Sequence, residues 1–190
     1  MLDETLNEIV KSHINGDWLN VMLVNNASAS NLLLWPKPQV KDLKFIHKNL
    51  KSLGINKLTS IGCGTGLLEW LLTAVTGIQV ISIEVDKIYW STKSRRYNFC
   101  ELTFPDNEHF NECVTFPKYA LLFCYFNNGK AFLEYLANYK GNVLIIIGPN
   151  VIGKYTNPMP YDSNIPSNWK LYNQRVMYGN DVIAIYLKVK

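Results

Sequence analysis

A dense run of glycines between two short apolar segments constrains the fold of this chain more than any other feature. It lies within residues 57–86, which read KLTSIGCGTGLLEWLLTAVTGIQVISIEVD. Leu58 to Ile61 has the composition of a buried strand, and the GCGTG loop at residues 62–66 follows it directly. Leu67 to Val75 is apolar and of helical length, and Gln79 to Ile83 is a second β-rich run. This order predicts a strand, a tight loop, a helix and a second, parallel strand.

A glycine loop between a strand and a helix holds an adenosine-containing cofactor in many doubly wound α/β folds. Two cofactor classes fit this loop poorly. A dinucleotide fingerprint needs a small residue at its sixth position, where this chain has Leu67. A Walker phosphate loop needs a lysine after its glycines, and none follows here. The loop therefore disfavours a nicotinamide or flavin dinucleotide and a Walker nucleotide.

The remaining segments alternate between helical and β-rich patterns, as expected for an α/β domain. The third strand is open between two segments, Phe99 to Phe104 and Cys113 to Phe116. Near the end of the chain, Gly179-Asn180 with the adjacent Asp181 suits the turn of a hairpin. The other predicted elements are helices at residues 3–13, 39–53, 87–97 and 130–139, an apolar piece at 18–24, strands at 119–126 and 143–147, and a hairpin at 169–189.

We predict one structural domain that carries an N-terminal extension. Residues 1–36 form the short helical extension, and Pro36 and Pro38 mark its boundary. Residues 37–190 form the α/β domain. A length of 190 residues, 48% of them apolar, is sufficient for a single domain with a substantial core.

The order of these elements, closed by a β-hairpin, resembles class I S-adenosylmethionine-dependent methyltransferases. The resemblance covers residues 37–190 and is strongest over Ser60 to Asp86, where the G-x-G-x-G spacing looks like the first motif of that superfamily. It implies a Rossmann-like, doubly wound and mostly parallel sheet that ends in an antiparallel hairpin. It also implies S-adenosylmethionine as the cofactor and methyl transfer to an acceptor that is RNA, protein or a small molecule.

The resemblance further implies which residues contact the cofactor. Glu84, at the end of the second strand, would accept hydrogen bonds from both ribose hydroxyls, and Asp86 is the second candidate for this role. The alternative is that the glycines only form a tight turn and that Glu84 caps the next helix. Cys63 lies near a helix N-terminus, which could lower its pKa, but we interpret it as a small loop residue. The predicted cofactor-binding residues are Ser60, Gly62, Cys63, Gly64, Gly66, Glu84 and Asp86.

The chain departs from the superfamily's pattern at position 60. Relatives often carry an acidic residue two positions before the first glycine, where it helps to hold the methionine amino group. Ser60 brings no charge, so either the affinity is lower or the ammonium group is held elsewhere.

A second departure lies at the end of the strand at 119–126, where the methyl acceptor is expected. Amino- and base-methylating relatives often have Asp/Asn/Ser-Pro-Pro-aromatic there, and this chain has no proline at that point. Tyr125, Asn127 and Asn128 are the catalytic candidates, with Tyr125 a possible general base; the alternative for Tyr125 is strand packing. Both departures favour an alternative function, a methyltransferase-like protein that binds the cofactor or a protein partner without transferring methyl groups.

Composition bounds the partners and the compartment. The net charge of +4 permits a polyanionic partner without requiring one. The four cysteines lack metal-site spacing, so we predict no metal site and reduced thiols in an intracellular, cytoplasmic protein, with the nucleus as an alternative. No apolar run reaches membrane-spanning length, so no membrane contact is expected. One helix face carries a basic stripe that is either solvated or in contact with RNA: Lys41, Lys44, Lys48 and Lys51.

Overall fold

A computed structural model describes residues 2–28, 33–91 and 97–189. The strands are β1 (Lys57–Ile61), β2 (Gln79–Ile83), β3 (Leu102–Thr103), β4 (Tyr119–Cys124), β5 (Val143–Pro149), β6 (Trp169–Val176) and β7 (Asp181–Lys188). The helices are α1 (Leu2–Ile14), α2 (Trp18–Ala27), α3 (Val40–Ser52), α4 (Leu67–Thr76), α5 (Lys87–Ser91), α6 (Phe110–Thr115) and α7 (Gly129–Asn138), and a 3-10 turn spans Tyr178–Asn180.

All seven strands form one sheet in the order β3-β2-β1-β4-β5-β7-β6. The pairs among β1 to β5 are parallel, and β7 runs antiparallel to both β5 and β6. The strand order reverses between β1 and β4, which is the switch point at which open α/β sheets bind ligands. The predicted fold class is confirmed: the sheet is doubly wound, mostly parallel and closed by an antiparallel hairpin.

The central strands are buried on both faces because helices cover both sides of the sheet. Successive residues of a strand point to opposite faces, and β4 shows this clearly. Leu122 packs with α3 and α4 in one apolar cluster, while Leu121 and Phe123 pack with Phe132 of α7 in the other. These strands are therefore continuous apolar runs, as parallel strands under two helical layers should be.

The two N-terminal helices share the core of the α/β domain. Ile9 of α1 and Val21 and Met22 of α2 are buried in the same cluster as α4. The His13 ring nitrogen Nε2 also lies 2.9 Å from the Phe99 carbonyl oxygen. The boundary at residue 36 stays a prediction, but residues on both sides of it contribute to one core.

Several element boundaries differ from the sequence prediction for identifiable reasons. The third strand lies in the first of the two candidate segments, whereas Cys113 of the second segment lies in α6. β4 ends two residues early because Tyr125 has a φ of 50°, which no extended strand accommodates. The helix predicted at 87–97 is observed as far as Ser91, residue 97 is not helical, and residues 92–96 lie outside the described residues.

Helix α3 is fixed against the hairpin by a buried carboxylate. Asp42 Oδ2 accepts a hydrogen bond from the Gln39 backbone N–H at 2.8 Å, and Asp42 Oδ1 accepts one from Arg175 Nε at 2.6 Å. The opposite face of the helix is exposed and carries all four lysines of the basic stripe. Among the described residues, no helix is long and apolar enough to cross a membrane.

Candidate functional site

A cavity of about 170 Å³ opens at the carboxyl ends of β1 and β4, next to the point where the strand order reverses. Five parts of the chain form its walls: residues 33–36, the glycine loop at 62–65, Leu68 and Glu69 of α4, Trp90 of α5, and Cys124 with Tyr125. The predicted cofactor loop and the predicted acceptor position therefore face one cavity. The structure assembles them from segments about sixty residues apart in the sequence.

The glycines of the loop hold a backbone shape that other residues resist. Gly62, Gly64 and Gly66 have φ values of 70°, 63° and 75°, all in the left-handed region. At Gly66, which caps α4, an added Cβ would lie 2.2 Å from the Cys100 sulfur, so both space and dihedral angle require glycine. Gly64 lines the cavity, and its backbone is open to a ligand because the nearest atom to an added Cβ there is 3.8 Å away.

Glu84 lies directly behind this loop, at the end of β2. Its Oε1 accepts a hydrogen bond from the Gly64 N–H at 2.6 Å. Burial raises the pKa of Glu84, against the opposing effect of hydrogen bonds from the Gly64 backbone and the Trp90 side chain. Asp86 is exposed, and its Oδ1 accepts a hydrogen bond from the Tyr89 N–H at 2.8 Å. The capping interaction considered for Glu84 is thus made by Asp86, and the Glu84 carboxylate is directed towards the glycine loop.

Ser60 is hydrogen-bonded to the carboxylate of Glu69, a residue that the sequence analysis did not predict to lie in the site. Ser60 is fully buried, and its hydroxyl donates a hydrogen bond to Glu69 Oε1 at 2.6 Å. Glu69 is 2% exposed, and burial raises its pKa to about 7. Its Oε2 is buried without a hydrogen-bond partner among the described residues. The sequence does mark Glu69 in one way: it is the single charged residue of an otherwise apolar helix.

Cys63 does not have the lowered pKa that its position near a helix N-terminus suggested. Burial raises the pKa of its thiol well above the ordinary value, and the nearby Glu69 and Glu84 carboxylates raise it further. Desolvation and two carboxylates thus outweigh any lowering of the thiol pKa by the helix N-terminus. The interpretation of Cys63 as a small residue in the loop is consistent with this neutral thiol.

Tyr125 lies in the cavity wall in an unusual conformation. Its hydroxyl donates a hydrogen bond to Asp181 Oδ1 at 2.6 Å, and its ring stacks on Trp35 with centroids 5.7 Å apart. Burial and the Asp181 carboxylate raise the pKa of Tyr125. The phenol is therefore neutral, and Asp181 is the proton-accepting member of the pair. Sequence reasoning treated Asp181 only as a turn residue, because its contact with Tyr125 spans 56 positions.

The two asparagines beyond Tyr125 are exposed and serve the local structure. Asn128 is the N-cap of α7, where its side-chain oxygen accepts a hydrogen bond from the Ala131 N–H at 3.1 Å. Asn127 forms an isolated parallel bridge with Asn157. Neither residue lines the cavity as described. Their predicted contact with an acceptor stays a prediction.

One wall of the cavity comes from the predicted extension, to which the sequence analysis assigned no role. Residues 33–36 lie over the glycine loop, and the Thr65 hydroxyl donates a hydrogen bond to the Leu33 carbonyl at 3.0 Å. Trp35 is 60% exposed at the cavity wall. In the described part of the chain, no group of three or more His, Cys, Asp or Glu side chains could hold a metal ion.

Comparison with family models and with curated proteins finds no match for this sequence. Solved structures do match its fold. Cofactor-bound Rv0187 from MTB aligns over 90% of this chain and 89% of its own, with a TM-score of 0.54 and 13% identity. PH1948 of Pyrococcus horikoshii, for which an RNA methyltransferase function has been suggested, aligns over 86% and 91%, with a TM-score of 0.50 and 14% identity. Together with the strand order, these likenesses show that the chain has the Rossmann-like fold of class I S-adenosylmethionine-dependent methyltransferases.

Proposed function

We propose that this chain binds S-adenosylmethionine in the cavity and transfers its methyl group to an acceptor. One observation carries the proposal: the glycine loop, the buried Glu69 carboxylate and Tyr125 line one cavity at the carboxyl ends of β1 and β4, and the Glu84 carboxylate at the end of β2 is hydrogen-bonded to the same loop. This is the ligand-binding position of a doubly wound sheet. The fold supports the same cofactor.

The chemistry of the residues fits this cofactor. S-adenosylmethionine carries two positive charges and a ribose diol, and the site offers Glu69 and Glu84 as acceptors with an open backbone at Gly64. The volume of about 170 Å³ is below the roughly 300–1,000 Å³ of pockets that enclose a drug-sized ligand. The cavity therefore accommodates part of the cofactor, and the rest extends through its mouth.

The cofactor, when bound, supplies a methyl group that is already electrophilic because it is attached to a sulfonium. The protein then has to orient the acceptor, exclude water and receive a proton where the acceptor loses one. Tyr125 and Asp181 are placed for the last task. Since the hydroxyl of Tyr125 donates to Asp181, a proton taken by Tyr125 from the acceptor can be balanced by transfer of its own proton to Asp181. Burial raises the pKa of Asp181, which makes it a better proton acceptor.

The ribose role of Glu84 yields the first prediction. Glu84→Ala should weaken binding of S-adenosylmethionine at least about 10-fold, because hydrogen bonds to a charged group contribute about 1.5–3 kcal/mol. Isothermal titration calorimetry measures the effect. Asp86→Ala is the matched control: it removes the cap of α5 but should keep the affinity within about twofold. A loss of binding in Asp86→Ala alone would transfer the ribose role to Asp86.

The acceptor can be found by incubating the protein with labelled S-adenosylmethionine and fractionated cell extract. We place RNA first, because Trp35 presents an exposed aromatic surface at the cavity and the lysine face of α3 is exposed. Protein and small molecules are the other classes tested. RNA contact through the lysines stays a prediction.

The labelling assay also tests the role of Tyr125 and its partner Asp181 in proton transfer. Tyr125→Phe should reduce labelling of the acceptor at least about 10-fold, since loss of acid–base assistance typically costs 10²- to 10⁴-fold, while cofactor affinity stays within about twofold. Tyr172→Phe, on the exposed face of β6, is the control and should label normally. If the cofactor binds but no fraction is labelled, the protein is a non-catalytic relative instead.

A further inference from the structure

Glu69 lies in the first turn of α4, the helix that follows the glycine loop. Acidic residues in a first turn usually face solvent, where they interact favourably with the helix dipole. The side chain of Glu69 instead faces inward and lines the cavity, 2% exposed. Since an ionised carboxylate is costly to bury, its retention at this point needs an explanation beyond packing.

The two oxygens of this carboxylate have different environments. Oε1 accepts the hydrogen bond from Ser60, which fixes the orientation of the group. Oε2 has no hydrogen-bond partner among the described residues. Among the described residues, the groups that affect the ionisation of Glu69 are Ser60, its own backbone and Glu84, and none of these is a cation. A carboxylate oxygen that is buried and fixed, with no counter-charge from the described part of the chain, is suited to a positively charged ligand group.

We propose that Glu69 binds the α-ammonium group of the methionine part of S-adenosylmethionine. It thereby replaces the acidic residue that relatives carry at the position of Ser60. The hydrogen bond of 2.6 Å shows that position 60 and the Glu69 carboxylate meet at one point behind the glycine loop. The negative charge thus lies on α4 in this chain, and Ser60 of β1 donates a hydrogen bond to it. This inference rests on the proposed function.

Glu84 is not an equivalent partner for the ammonium group. Its Oε1 is held by the Gly64 N–H on the side of β2, and Trp90, a hydrogen-bond partner of Glu84, lies in the cavity wall. The two carboxylates therefore bind different parts of the ligand: Glu84 binds the ribose and Glu69 binds the amino-acid end. This division predicts different responses to ligands that lack one end.

Three ligands separate the charges that Glu69 could face. S-adenosylmethionine carries an ammonium and a sulfonium, S-adenosylhomocysteine carries the ammonium only, and 5′-methylthioadenosine carries neither. Calorimetric titration of each into the wild-type chain and Glu69→Gln is the test. The amide keeps an acceptor for Ser60 and removes the charge. We expect Kd to rise about 10- to 100-fold for both amino-acid-containing ligands and to stay within about twofold for 5′-methylthioadenosine.

The unchanged affinity for 5′-methylthioadenosine also shows that the variant is folded with its nucleoside site intact. Unchanged affinity for all three ligands would overturn the inference. So would a loss confined to S-adenosylmethionine, which would assign Glu69 to the sulfonium, and so would an equal loss for all three. If the wild-type chain bound none of them, the proposed function itself would fail, and this outcome is distinct from any result with the variant.

Discussion

Glu69→Gln is expected to make the unliganded protein more stable at pH 8, by about 3 kcal/mol. Burial raises the pKa of Glu69 from 4.5 to about 7. The folded state therefore binds more protons than the unfolded state between these values, and stability is lost as the pH rises through this range. Above pH 7 the folded chain carries a buried charge that the glutamine variant does not.

The expected gain corresponds to a Tm increase of roughly 6–12 °C for a chain of 190 residues. Thermal unfolding of both proteins at pH 8 and pH 5 measures it. At pH 5 the difference should fall below about 1 kcal/mol, because Glu69 is protonated in the folded state. A variant that is equally or less stable at pH 8 would show that the carboxylate has a counter-charge in the unliganded protein. If Glu69 binds the ligand, Glu69→Gln should both stabilise the free protein and weaken ligand binding, since functional sites often cost stability.

Gly66→Ala is expected to destabilise the protein by about 2–5 kcal/mol and to abolish cofactor binding. A left-handed residue with a side chain costs roughly 1–2 kcal/mol, and Gly66 has a φ of 75°. The added Cβ would also lie 2.2 Å from the Cys100 sulfur, and such overpacking typically costs 1–3 kcal/mol. Relieving the clash displaces the loop that forms the cavity wall. Urea unfolding and calorimetry measure the two effects.

Gly77 provides a matched control at the other end of the same helix. Its φ is 74°, but nothing lies within 4 Å of an added Cβ, so Gly77→Ala should cost only the roughly 1–2 kcal/mol of the backbone and leave binding intact. Cys100→Ala combined with Gly66→Ala removes the sulfur and should recover at least about 1 kcal/mol in a double-mutant cycle. Equal costs for Gly66→Ala and Gly77→Ala would contradict the steric account of the loop.

Much of the fold could be predicted because its strongest elements are local patterns. β4 and β5 are continuous apolar runs, and the hairpin turn has residues that favour it, so periodicity places them. β3 was ambiguous because only Leu102 and Thr103 pair with β2, too few residues for a periodic pattern. Tyr125 ends β4 early through a left-handed backbone that its residue type gives no reason to expect.

Part of the candidate site could likewise be predicted from local sequence, and part could not. The glycine loop and Glu84 lie in one continuous segment, so their spacing alone indicates a cofactor site. Glu69 lines the cavity from α4, where it meets Ser60 of β1, and Trp35 lines it from the N-terminal segment. Asp181, at the start of β7, acts on the cavity through its hydrogen bond with Tyr125. In a single sequence, Glu69 looks like an ordinary charged residue of a helix, Trp35 like an aromatic residue of a loop and Asp181 like an acidic residue of a turn. The roles of Trp35 and Asp181 depend on contacts with Tyr125 across many positions, and that of Glu69 depends on the direction in which its helix packs.

The central claim is that this cavity holds S-adenosylmethionine, and direct titration of the ligand into the purified wild-type chain tests it most directly. We predict binding of one molecule of S-adenosylmethionine or S-adenosylhomocysteine per chain, with no detectable heat from NAD at the same concentration. Binding of NAD without binding of S-adenosylmethionine or S-adenosylhomocysteine would contradict the account.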